Sequence, residues 1–235
     1  MLSLDPQTLA AWQLFTRLGE MQLLLPAAAA VALLLLSQPG QRAVALHWLA
    51  RLSAAAVLTT ATTLAFIGWG IGSAALDFTG ISGHAMFASA THPVLLAALV
   101  SAVWPGERSS GWRLGAWAGM ALAVAVAVSR VVVDAHSVSE AVAGVLLGGW
   151  VGLLALRMQP QAVTAVRWLA PAVALWLVAT PVYAPPSQSH ALVTRLALAL
   201  SGQARPYTRD MLHTVRTSQL APVLKGNTAP AWRLH

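Results

Sequence analysis

The chain contains no cysteine, which excludes disulfides, thiolate catalysis and cysteine-based metal sites. Charge is nearly as scarce. Asp, Glu, Lys and Arg make up 9% of the 235 residues, against roughly 25% in a soluble globular domain, so lipid solvates most of the surface. Lys225 is the only lysine, and no basic run interleaved with aromatics occurs. The electrostatic footprint of a nucleic-acid binder is therefore missing. What remains is apolar: 57% of the residues are hydrophobic, with a mean hydropathy of +0.68. At about 20 apolar residues per crossing, these stretches predict an all-α integral membrane bundle of about six transmembrane helices. Ten tryptophans suit the belts at membrane interfaces, with some left to pack between helices.

Three regions follow from the composition. Residues 1–20 form a polar-to-amphipathic N-terminal lead, residues 21–183 a transmembrane domain, and residues 184–235 a polar, basic C-terminal tail. Spans are expected near 21–37, 47–70, 82–104, 114–129, 136–156 and 166–183. The first lacks a basic lead and a cleavage site, and reads as a retained helix. Glycines in the 68–80 segment break helical periodicity and permit tight turns near a ligand. In the tail, 190–202 has the pattern of an amphipathic helix, and no structure is expected beyond Gln203. One set of loops carries Arg42, Arg51, Arg108, Arg113, Arg157 and Arg167, which marks the cytoplasmic side.

The opposite set of loops carries two polar motifs. One is Ser82-Gly83-His84; the other is Ser129-Arg130 followed by His136 and Glu140. Ionisable groups at the edge of hydrocarbon are costly, so their grouping marks a candidate functional site. His136 and Glu140 are four apart at a helix start, hence on one face. There a carboxylate can hold one imidazole nitrogen and leave the other as a nucleophile. The same face continues through Gly144, Gly148 and Gly152, a stripe that admits a close neighbouring helix. Arg130 offers planar donors for phosphate oxygens. Ser82, the Gly83 amide and the free amides of the third span can complete an anion pocket, and His84 is suited to protonate a leaving oxygen.

The pattern Ser-Arg, five residues, His, three residues, acid, preceded by Ser-Gly-His, resembles the membrane lipid phosphatase branch of the type-2 phosphatidic acid phosphatase superfamily. The resemblance implies that His136 attacks phosphorus and forms a phosphohistidine, that Glu140 orients it, and that His84 acts as general acid and then base. It also implies that Arg130, Ser82 and Gly83 hold the phosphate, with no metal and no cofactor. Three positions depart from the family pattern: Glu140 stands where Asp is usual, Ile81 where Pro is usual, and a first motif of Lys followed by Arg-Pro is missing. Arg205-Pro206 in the tail is a candidate to fold back in its place.

The expected partners are a lipid phosphate or diphosphate substrate and the surrounding membrane lipids, with no nucleic acid. The expected location is a bacterial inner membrane, the site facing the periplasm or exterior. Two other readings use the same residues. One is a metal-dependent enzyme with ligands from His84, His136, Glu140 and His92 or Asp134, against which the nearby Arg130 cation argues. The other is a binder or transporter that keeps the anion pocket without turnover. Taken singly, Asp77 and Asp134 read as turn residues, His92 as a buried hydrogen-bonded group, and His47 and Arg51 as interface anchors.

Overall fold

The computed structural model describes residues 5–37, 39–104, 107–158, 166–185 and 187–214. Among the described residues the extended elements of regular structure are all helices. A lead helix α1 (Pro6–Thr16) and a 3-10 turn (Arg17–Gly19) precede α2 (Met21–Leu36), α3 (Arg42–Trp69), α4 (Gly83–Val103), α5 (Arg108–Val132), α6 (Val138–Arg157), α7 (Val166–Tyr183) and α8 (Ser189–Ser201). Four of these, α3, α4, α5 and α6, are long and apolar enough to cross a membrane by length and composition. With 16 residues, α2 spans about 24 Å at 1.5 Å per residue, short of a hydrocarbon core of about 30 Å. The apolar described part of α7, Pro171–Tyr183, is shorter still.

Local sequence sets the helix ends. Asp5 caps α1 through the amides of Gln7 and Thr8, with Pro6 in the first turn, where its missing N–H costs nothing. Gly70, at φ 69°, ends α3 in the left-handed conformation that suits glycine. Ser137 and Glu140 form a reciprocal capping box at the start of α6. Helix α5 begins at Arg108, six residues before the apolar boundary expected near 114, because a helix tolerates polar residues that hydrocarbon does not.

Helix α4 is the centre of the bundle: 72% of its apolar span is buried, against 33% in α3, 33% in α5 and 39% in α6. It lies between α5 and α6, and glycines on both make that possible. A Cβ on Gly144 or Gly152 of α6 would fall 2.6 or 2.7 Å from the carbonyl oxygens of Ser82 or Ser89, and one on Gly148 would overlap that of Met86. On α5, a Cβ at Gly115 or Gly119 would overlap the carbonyls of Leu96 or His92. Backbones touch directly, so van der Waals packing of small residues holds the seam. The α6 stripe is the one marked in the sequence; its α5 counterpart was not. Trp48, fully buried, extends the core to α3 by donating its indole N–H to the Ala90 carbonyl at 3.2 Å.

The described tail does not stop at α8. Residues 203–214 return to the bundle, where the Tyr207 amide donates to the Ile67 carbonyl at 3.0 Å. The lead is also tied down, since Arg17 donates to the carbonyls of Pro181, Ala184 and Pro185 at the end of α7. Residues 215–235, which include Lys225, lie outside the described residues.

The packing predicts an asymmetric response along one helix. Gly148→Val should destabilise the protein by about 1–3 kcal/mol, because the new side chain must displace the α4 backbone. Gly149→Ala should be tolerated, since its nearest neighbour, Met120 Cε, would be 3.6 Å away. Thermal unfolding of the detergent-solubilised variants measures both.

Candidate active site

Three helix ends meet at one end of the bundle: the start of α4, the end of α5 and the start of α6. The Ser82 hydroxyl accepts from the Ala85 amide at 3.5 Å as the α4 cap, while the Ser82 amide donates to the Glu140 carbonyl at 3.1 Å. That backbone bond ties the first motif to the second. After α5, Asp134 adopts φ 56°, and the amides of Ala135 and His136 both donate to the Arg130 carbonyl, at 3.0 and 3.1 Å. The seven residues from Arg130 to His136 thus close a tight turn, with Asp134 in the turn role its sequence suggested.

The Glu140 carboxylate is fully buried, and every donor around it is accounted for. His136 Nδ1 donates to Oε2 at 2.7 Å, which leaves Nε2 free. The same oxygen accepts from the Ser137 amide at 3.0 Å and from Arg209 Nη2 at 2.8 Å. The other oxygen accepts from the Thr79 amide at 2.6 Å and the Thr79 hydroxyl at 2.5 Å. A buried carboxylate is tolerated when it is paired and hydrogen-bonded in this way.

Thr79 reaches Glu140 because the α3–α4 link is a small hairpin. Ser73 and Phe78 exchange two backbone hydrogen bonds at 2.9 Å, and Asp77 turns the chain at φ 50°. Gly80, at φ 153°, passes so close to α3 that a Cβ would lie 2.9 Å from Thr63 Oγ1. The Ser139 hydroxyl donates to the Leu76 carbonyl at 2.7 Å and clamps the hairpin to α6.

A cavity of about 640 Å³ opens beside these groups. Of the residues singled out in the sequence, Gly83, His84, Arg130 and His136 line it, and Glu140 stands behind His136. Ser82 does not line it: its side chain is fully buried and engaged in the α4 cap. Arg130 Nη1 donates to Thr16 Oγ1 at 3.2 Å, and its buried Nε has no partner among the described residues. His92 is fully buried two turns into α4, with neither ring nitrogen paired among the described residues, contrary to the hydrogen-bonded role expected. Among the described residues no group of three or more His, Asp or Glu side chains could hold a metal ion.

Sequence reasoning missed Arg209. The tail does fold back, but Arg205 is exposed, and the cation that reaches the site lies four residues later. Arg209 Nη1 donates to Asp77 Oδ2 at 2.6 Å, and His213 Nε2 holds the other Asp77 oxygen at 2.7 Å. Pro206, Tyr207, Thr208 and Arg209 together form one wall of the cavity. The only signal in the sequence was an acid, Asp77, in a glycine-rich link with no cation near it along the chain.

A family model for the PAP2 superfamily matches residues 71–164, a segment holding Ser82, Gly83, His84, Arg130, His136 and Glu140 but not Arg209. A Klebsiella pneumoniae protein described as an uncharacterized 22.5 kDa protein in the cps region is 35% identical over 211 residues, covering 86% of this chain and 97% of that protein. No solved structure matches the chain.

The hydrogen bonds around Glu140 predict that Glu140→Gln destabilises the fold by about 1–3 kcal/mol, since an amide cannot accept from all five donors. Asp134→Gly should leave stability unchanged or raise it slightly, because glycine adopts that positive φ without cost. Thermal unfolding in detergent separates the two.

Proposed function

This chain belongs to the PAP2 superfamily, and on that ground we propose that it hydrolyses a phosphate ester or diphosphate carried on a lipid, through a phosphohistidine at His136. Members of the superfamily are phosphatases, so a phosphoric-ester hydrolase is the activity at family level. The observation that carries the finer reading is the His136–Glu140 contact at 2.7 Å beside a cavity that His84 and Arg130 also line.

The chemistry follows from which atoms are free. Glu140 holds Nδ1–H of His136, so Nε2 keeps its lone pair and attacks phosphorus in line. As the N–P bond forms, the bond from phosphorus to the lipid oxygen breaks, and His84 gives that oxygen its proton. His84 then takes a proton from water, whose oxygen displaces the imidazole and releases inorganic phosphate. Arg130 and the Gly83 amide at the start of α4, which both line the cavity, supply donors to the non-bridging oxygens. Ser82 contributes by fixing that helix start. No step calls for a metal.

Two features favour a lipid substrate. The cavity combines these polar groups with Ala56, Phe66, Ile67 and Val193 from α3 and α8, a surface suited to the apolar part of an amphiphile. The helix ends remote from the site carry Arg42 at the start of α3 and Arg157 at the end of α6. By the positive-inside rule the remote end is cytoplasmic, which directs the cavity to the outer face of a bacterial inner membrane.

A panel of lipid phosphates and diphosphates, assayed for phosphate release by purified protein, tests the reading. Turnover on at least one should fall by well over about 10²-fold in His136→Ala and in His84→Ala. Vanadate should inhibit and chelators should not. If His136→Ala keeps its activity on every substrate the wild type cleaves, the mechanism is wrong. Binding of lipid phosphates with no release by the wild type would favour the non-catalytic reading.

A further inference from the structure

The five groups His213, Asp77, Arg209, Glu140 and His136 form one continuous chain of contacts from the tail to the imidazole. Successive distances are 2.7 Å from His213 to Asp77, 2.6 Å from Asp77 to Arg209, 2.8 Å from Arg209 to Glu140 and 2.7 Å from Glu140 to His136. Only one of these links brings a permanent cation to the buried carboxylate. Burial pulls the Arg209 guanidinium down, but Glu140 and Asp77 outweigh it and raise it above the ordinary arginine value, so it stays charged.

That cation matters because of what Glu140 would do alone. A fully buried carboxylate with one imidazole as its nearest ionisable partner draws a proton onto that imidazole. A doubly protonated His136 has no lone pair at Nε2. Arg209 shares Oε2 with His136 Nδ1, so it offsets the carboxylate charge at the atom the imidazole uses.

We infer that Arg209, carried into the site by the C-terminal tail, is a positioning residue that balances Glu140 and thereby keeps His136 unprotonated at Nε2. It acts through Glu140. The inference rests on the reading of His136 as the nucleophile for its catalytic consequence, but not for its effect on the imidazole. The strap is built for the task. The Tyr207 amide anchors to the Ile67 carbonyl, and the Tyr207 ring lies over Gly70, where a Cβ would come within 2.9 Å of it. Asp77 takes up a second edge of the guanidinium, so Arg209 bridges two carboxylates as a planar donor can and an ammonium cannot.

Charged and titratable neighbours come from the lead, the link, α4, α5, α8 and the tail, while α3 faces the cavity with threonines and apolar groups. His84 stands on α4, Arg130 on α5, Asp77 on the link, His190 on α8 and His213 on the tail, and all but Asp77 and His213 line the cavity. The lead contributes Glu20, within the electrostatic field of Arg130. None of these except Arg209 donates to Glu140 Oε2 as a cation independent of pH.

The test follows carbethoxylation of His136 by diethyl pyrocarbonate, which attacks only the unprotonated ring, in the full chain in detergent. Peptide mass spectrometry across a pH series gives the midpoint for His136 separately from His84. Arg209→Ala should raise that midpoint by about one unit, and Arg209→Lys, which keeps the cation, should return most of the shift. On the acid limb of the phosphate-release profile, Arg209→Ala should then turn over about tenfold more slowly, with the wild-type rate regained at higher pH. An unchanged midpoint in Arg209→Ala would overturn the inference. So would equal shifts in the Ala and Lys variants, which would mark the contact as structural. A shifted midpoint in a protein that releases no phosphate would sink the hydrolase reading and leave this one standing. A wild type that hydrolyses, with no shift in the variant, would do the reverse.

Discussion

One buried carboxylate organises this end of the molecule. Glu140 accepts hydrogen bonds from the turn before α6 through His136 and the capping Ser137, from the α3–α4 link through Thr79 and from the tail through Arg209. Three separate stretches of chain thus converge on two oxygen atoms. An unpaired carboxylate in such a place would cost several kcal/mol, so each donor is held there by the need to offset that cost. The geometry of His136 is therefore a by-product of satisfying a buried charge. Its rigidity comes from the same source.

Below that point the fold must keep three helix ends in register, and it does so with backbone rather than side chains. Helix α4 is flanked by glycines of α5 and α6 at the positions that face its carbonyls. Side chains between helices would leave rotamer freedom and a gap of ångströms between His84 and the α5–α6 turn. Direct backbone contact removes both. The Ser82 amide on the Glu140 carbonyl completes the register at the top of the seam. Packing and site geometry are therefore one constraint here: the glycines that let helices touch also fix where the imidazoles sit.

How much of this was legible in the sequence depends on how local each signal was. The capping box at Ser137 and Glu140, the one-turn spacing of His136 and Glu140 and the α6 glycine stripe all lie within a single helix, and periodicity exposes such patterns. The convergence of His84 with Arg130 and His136 was legible because antiparallel neighbours put alternate helix ends together. Ser82 was legible as part of a motif, but its hydroxyl is spent on the helix cap and turned from the cavity. Arg209 was not legible. It lies 69 residues from Glu140, beyond any helical period, and Arg205-Pro206 competed for attention through resemblance alone. The boundary of α5 was misjudged because hydropathy reports where lipid ends, whereas helix continues through Arg113.

The longer acid at position 140 and the tail arginine explain one another. Where the superfamily pattern has Asp, a Glu gains one methylene and one further torsion, and an acid free to rotate would hold His136 less firmly. Five donors remove that freedom, and the fifth, Arg209, is the only one that adds a permanent charge. The same guanidinium answers the electrostatic side of the substitution, since a longer carboxylate pressed against Nδ1 would favour the imidazolium over the imidazole. The family match ends at residue 164, yet the charge balance of its central pair depends on a residue 45 positions later. For this chain the working unit of the site is therefore larger than the segment that carries its motifs: it extends through α8 to the strap at 203–214, whose docking turns a buried acid from a liability into a support.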